Sequence, residues 1–347
     1  IVIILGLIIA SGIIIPLELW ENPSENINQQ GNSTFHIRKT MDIVLPAERG
    51  LSAEEMKWAE TAWKYFENNY IKETGMVNSV DNYQASTMWD TGSYLMALIS
   101  SLRLGIITNE EFSKRIEAIL TTLSKIPLFD GELPNKSYNT VTLKMVNYNN
   151  TETERGIGWS SIDIGRLFVP FLIISWDYPE FTKKIRDVLN YWNFKNILKN
   201  GLLFSADLND SGKTVYLQEG RLGYEEYAAK SFMLMGSNIF KALIYNDFIN
   251  FENVYGIKIP YDIRDPYEFG AHNYIVSENY ILEGMEFGWD KISQEFAWRV
   301  YKAQELRYKN TDTLTAVSED NLDREPYFVY NTVYSNGKIW NCITQEG

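Results

Sequence analysis

A rhythm of alternating helix types constrains this chain most. Runs apolar all round, "STMWDTGSYLMALISSLRLG" and "SSIDIGRLFVPFLIISW", alternate with runs apolar along one stripe, "LSAEEMKWAETAWKYFENNYIKETG", "TNEEFSKRIEAILTTLSKI" and the stretch from Pro179 to Phe194. A helix apolar on every side must be buried, whereas a striped helix covers something else. The alternation predicts an all-α, two-layer helical toroid of the (α/α) barrel kind, with short β-hairpins in its loops. A parallel α/β sheet is the poorer reading, because no β-rich runs separate the helices. Local signals agree. Ser52 with Glu55 and Thr108 with Glu111 have capping-box spacing, and Gly75 and Gly105 supply stops. "GYEEYAAKSFMLMGSNIFKALIY", "SENYILEGMEFG" and "KISQEFAWRVYKAQELRYKN" read as further helices, and Asn209–Gly212 and Asn336–Gly337 as hairpin turns.

The front of the chain is different. "IVIILGLIIASGIIIP" is apolar for about 15 residues, short of the roughly 20 that span a bilayer. Glu18, Glu21 and Glu25 precede the first basic residue, Arg38, which suits a non-cytoplasmic flank. Residues 1–18 are therefore expected to be a membrane anchor or, failing that, a cleaved signal peptide. Residues 19–50 read as a polar linker and 51–347 as the folded domain. The expected location is the cell envelope, anchored in the inner membrane and facing the periplasm or exterior, or else secreted into the periplasm. The chain begins at Ile1 rather than Met, which points to a piece of a longer protein.

Composition narrows the chemistry. The net charge of −13 comes without a basic, aromatic-interleaved stripe, so nucleic acid is excluded as a partner and neutral ligands fit best. A lone cysteine, Cys342, forbids an internal disulfide. With only His36 and His272, and no GxSxG, HExxH, Cys/His cluster or P-loop, a Ser-His-Asp triad or a His-rich zinc site is close to excluded. Clustered acids leave Ca²⁺ as the one metal option. Chemistry must rest on carboxylates, with Tyr and Arg in support. The 10 Trp and 22 Tyr provide core filler or flat rings that pack against a sugar.

The acids recur at the heads of the inner-type helices: Asp90 in "TMWDTGS", Asp163 in "GWSSIDIGR", Glu225 and Glu226 in "LGYEEYAA", and Glu278 in "VSENYILEGME". From Asp90 through Asp163 and Glu225 to Glu278 they lie 73, 62 and 53 residues apart, each about one helical hairpin plus loops. If the inner helices run parallel, the clusters meet at one end, and Glu219 reaches the same rim. Each acid alone also fits a cap, favoured by roughly 0.3–1 kcal/mol at a helix N-terminus. The neighbouring Gly, Trp and Arg favour a site. Asp90, Asp163, Glu219 and Glu226 are the candidate acid/base residues. Trp89, Trp159, Arg166, Arg221, Tyr224, Glu225, Tyr227 and Glu278 are the candidate substrate contacts.

"TMWDTGSYL", "GIGWSSIDIGRL", "QEGRLGYEEYAA" and "TAVSEDNLDREPYFVYNTV" resemble the bacterial family catalogued as domain of unknown function 3131, from about Trp58 to the end. That family is similar in style to the glucoamylase-like and β-1,2-glucanase proteins, in which carboxylates at the rim of an (α/α)6 barrel act on glycans. The resemblance implies an exported, glycan-related role. A full (α/α)6 barrel needs twelve helices and about eight to ten are legible, so the expectation is a toroid incomplete at its C-terminus, open and inactive as given. Crowded carboxylates among aromatics suggest glycoside hydrolysis. The rivals are a non-catalytic glycan-binding or envelope-assembly module, and a polysaccharide lyase using Tyr224 or Tyr227 as base beside Arg221.

Overall fold

The computed structural model describes residues 49–344 except 246, 265 and 270–272. The segments assigned to 1–18 and to most of 19–50 lie outside the described residues, as do His36 and His272. Among the described residues no helix is long and apolar enough to cross a membrane.

The helices are α1 (Ala53–Asn68), α2 (Met88–Arg103), α3 (Asn109–Leu123), α4 (Ser161–Asp177), α5 (Thr182–Tyr191), α6 (Tyr224–Leu234), α7 (Pro266–Phe269), α8 (Glu278–Leu282) and α9 (Lys291–Thr311). Their burial follows the rhythm. α4 buries nearly its whole surface from Ser161 to Leu172, and α2 buries Met88, Trp89, Tyr94, Leu95, Leu98 and Ile99. α3 buries a stripe through Phe112, Ile116, Ile119 and Leu123, and α5 only Ile185 and Val188. α2, α4 and α6 pack side by side as an inner layer. Glycine permits that approach: a Cβ at Gly165 would lie 2.6 Å from the Cβ of Ala228, and one at Gly92 would lie 2.9 Å from Cγ of Arg166. The Ser52–Glu55 capping box forms as the spacing predicts, and Thr108 caps α3.

The all-α expectation needs correction, because small antiparallel sheets of two to four strands join the helices. Residues 129–156, a polar stretch whose sequence reads as a loop, place β2 (Ser137–Asn139) between β1 (Ala85–Thr87) and β3 (Met145–Val146). β4 (Gly158–Trp159) pairs with β5 (Leu202–Leu208), which pairs with β6 (Thr214–Gln218) around the expected Asn209–Gly212 turn. The long helix expected over 223–245 stops at Leu234, where Gly236 at φ +92° breaks it and a 3-10 turn (Phe240–Leu243) follows. β7 (Ile249–Val254) and β8 (Ile257–Asp262) form a hairpin across Tyr255 and Gly256, at φ +52° and +80°. The helix expected from Ser277 is α8 followed by a π turn (Glu283–Phe287) that ends at left-handed Gly288. In the last stretch β9 (Glu319–Asn321), β10 (Phe328–Asn331) and β11 (Cys342–Thr344) form one sheet. The Asn336–Gly337 turn joins Tyr334–Ser335 to Lys338–Ile339, with both turn residues at positive φ. These stretches are short and rich in Asn, Gly and Pro, so neither helical nor strand periodicity runs long enough to be legible.

Candidate functional site

The first turns of α2, α4 and α6 open onto one cavity of ≈ 870 Å³. Thr87 and Trp89 come from the head of α2, Ser160, Ile162 and Asp163 from that of α4, and Tyr224 from that of α6. The inner helices thus run parallel and present their N-terminal ends together. The Glu219–Arg221 loop adds to the lining, as do Glu319, Phe328 and Tyr330 on β9 and β10 together with Tyr274.

Asp163 follows the N-cap Ser160, whose Oγ accepts from the Asp163 N–H at 3.1 Å. Its carboxyl is only partly exposed and is surrounded by protein. Burial first, then the charge of Glu219, pushes it up to about 8. Glu219 is held by the end of α4: its Oε2 accepts from Ser161 N (2.5 Å), Ser161 Oγ (2.9 Å) and Ile162 N (3.4 Å), where the helix leaves N–H groups unpaired. Glu319 receives the Tyr224 hydroxyl at 3.1 Å, and burial followed by the charges of Glu278 and Asp163 raises it well above the usual carboxylate range. Glu278 accepts from the Trp89 indole at 3.0 Å and is raised to about 7, chiefly by burial. Aromatic rings form a continuous belt around these acids. Ring centroids are separated by 5.7 Å from Trp89 to Tyr224, 5.5 Å to Tyr274, 3.9 Å to Tyr330, 5.1 Å to Phe328 and 5.6 Å to Tyr148.

Of the residues singled out in the sequence, the fold brings Trp89, Asp163, Glu219, Arg221 and Tyr224 to this cavity. Glu278 touches it through Trp89. The others lie outside its lining. Asp90 Oδ2 accepts from Ser79, Thr87 and Asn321. Glu226 is buried in a capping box, accepting from Gly223 N at 2.6 Å, and burial followed by the Glu225 charge takes it to about 8. Glu225 pairs with Arg264 at 2.6 Å and accepts from Gln218 at 3.0 Å. Arg166 pairs with Glu286 at 2.6 Å, donates to Tyr227 at 2.7 Å and lies 5.7 Å from the Trp89 ring. Trp159 donates to Glu132 at 3.1 Å. Arg221 is buried in the wall, where it donates to Gln218 at 3.3 Å, and burial lowers it to about 10. The hydroxyls of Tyr224 and Tyr227 are raised well above 10, first by burial.

Reading the sequence missed Glu319, Tyr274, Tyr330, Phe328 and Tyr148. Glu319 stands within "TAVSEDNLDREPYFVYNTV" on the strand β9 rather than at a helix head, so helical periodicity gives it no signal. Among the described residues no group of three or more His, Cys, Asp or Glu is placed to hold a metal ion.

A family described as protein of unknown function, DUF3131, matches residues 57–347. The chain is similar in fold to a candidate glucoamylase from Bacteroides caccae, with 13% identity, 82% of this chain and 76% of that one covered, and a TM-score of 0.56. An endo-β-1,2-glucanase from Chitinophaga pinensis, in complex with sophorotriose and glucose, aligns with 13% identity over 82% of this chain and 75% of its own, at 0.54. One from Talaromyces funiculosus, in complex with sophorose, aligns with 13% identity over 84% and 68%, at 0.51. These likenesses are of fold. No curated protein matches the chain.

Proposed function

The chain belongs to the DUF3131 family, and from that premise we propose that it is a glycoside hydrolase acting on a neutral glycan. The observation that carries this reading is the cavity itself, in which Asp163 and Glu219 share one wall region within a belt of aromatic rings. A glycosidase needs one carboxyl that still holds a proton at working pH and one carboxylate. Asp163, raised to about 8, is the proton donor to the leaving oxygen. Glu219, fixed through Oε2 by the end of α4, is the partner that activates water or attacks the sugar. Glu319, kept protonated, donates to a sugar hydroxyl. The belt stacks on the C–H faces of the sugar rings. The fold shared with the two endo-β-1,2-glucanases supports a glucan as substrate. The envelope is the proposed location, with residues 1–18 as anchor or signal.

The test is incubation with a panel of neutral glucans, β-1,2-linked ones included, followed by mass analysis. Saturated oligosaccharides are expected. Asp163→Asn and Glu219→Gln should each abolish turnover of the natural glycan. An aryl glycoside with a good leaving group, which needs no acid, should rescue Asp163→Asn alone. Glu226→Gln, outside the cavity, should keep turnover. Binding without cleavage across the panel would make this a binding module. Unsaturated products would make it a lyase, a reading already weakened by the raised tyrosine hydroxyls.

A further inference from the structure

Glu319 enters the cavity from a strand remote in sequence from the helices it faces. β9 is 3 residues long, and Asn321 lies two positions after Glu319, on the same face of that strand. Asn321 Nδ2 donates to Asp90 Oδ2 at 3.0 Å, across 231 positions of chain. The same oxygen accepts from Ser79 Oγ at 2.5 Å and from Thr87 Oγ1 at 2.6 Å. The Asp90 N–H donates in turn to Thr87 Oγ1 at 3.1 Å. One carboxylate oxygen therefore ties together the loop after α1, the head of α2 and the C-terminal strands. Its neighbour Trp89 lines the cavity. A second contact joins the same regions, since Tyr83 stacks on Tyr327 with centroids 6.5 Å apart.

The Asp90 Oδ2 atom has two lone pairs, and its three donors saturate that one oxygen of the carboxyl. A group that exchanges a proton with substrate must also reach the cavity, and Asp90 is not part of its lining. We propose that Asp90 is a positioning residue that clamps the strand carrying Glu319 over the heads of the inner helices, and so sets the spacing between Glu319 and Trp89. This rests on the glycosidase reading of the cavity. The clamp needs an acceptor rather than a charge, because an amide oxygen accepts the same bonds.

Three variants test it: Asp90→Asn, Asp90→Ala and Asn321→Leu. Glucan turnover and backbone hydrogen exchange over residues 317–331 are measured on each, with exchange serving as a readout independent of activity. Asp90→Asn should keep kcat within about threefold and leave exchange as in the parent. Asp90→Ala and Asn321→Leu should speed exchange in 317–331 and lower kcat about 10- to 100-fold, more than they change KM, as misplaced groups do. If Asp90→Asn is as inactive as Asp90→Ala, the charge takes part in the chemistry and the positioning role is wrong. Parent-like exchange in Asn321→Leu would show that the bond holds nothing. Faster exchange in a protein that cleaves no glucan would leave the clamp standing and remove the glycosidase reading instead.

Discussion

Replacing Asp163 by Asn should stabilise the protein while abolishing its chemistry. In the unfolded chain the carboxyl ionises at the ordinary 3.8, and in the fold burial and Glu219 hold it at about 8. Between these values the folded state binds more protons than the unfolded one, so stability falls as pH rises and levels off above the folded value. At about 1.4 kcal/mol per pH unit, the full displacement sets a ceiling of about 6 kcal/mol. The carboxyl is partly open to water in the cavity, and screening brings the expected figure to about 2 kcal/mol. Asparagine has nearly the same shape and never ionises. Its advantage should be near zero at about pH 3, where the carboxyl is neutral in the folded and unfolded states alike, and should reach about 2 kcal/mol at pH 8.5, above the folded value. Urea unfolding of both proteins at the two pH values measures this difference, and effects shared by the other acids cancel. A gain no larger at pH 8.5 than at pH 3 would refute the claim that Asp163 stays protonated in this environment.

Other consequences can be checked alongside. Arg264 sits between Glu225 and Asp262, with all three side chains buried. Arg264→Ala should therefore cost about 3–5 kcal/mol in urea unfolding, because it strands two carboxylates; a loss below about 1 kcal/mol would contradict that. Gly158→Ala should cost at least about 3 kcal/mol, since its φ is +121° and a Cβ would meet the Ala206 carbonyl oxygen at 2.1 Å. Gly212→Ala, at φ +70° with open space around it, should cost only about 1 kcal/mol, and equal costs would show that the contact at Gly158 is unimportant. Tyr330→Ala breaks the belt at its tightest stack, 3.9 Å from Tyr274. Glucan affinity measured by calorimetry should fall about 10-fold, and unchanged affinity would remove the belt from the binding surface.

The helical layers were legible in the sequence because periodicity is local. A helix buried on all sides, such as α4, or striped, such as α3, carries its environment in its own residues. The same signal located the helix heads and hence Asp163, but it could not separate acids that cap from acids that face a cavity. Asp163 and Glu226 both begin inner helices, and both are raised to about 8 by burial. Only the tertiary arrangement turns the first toward the cavity and ties the second back to Gly223. Glu219 combines both roles, capping α4 from a distant loop while lining the cavity. Glu319, Tyr274 and Tyr330 were invisible to a pattern of helix heads, because they arrive on short strands, Glu319 facing Tyr330 within one hairpin and Tyr274 pairing with the distant Ser335. The sequence by itself determined which segments must be buried and which residue types were available for chemistry. Which carboxylates share a cavity was decided by contacts across hundreds of residues, such as that between Asp90 and Asn321, and such contacts leave no periodic trace in the chain.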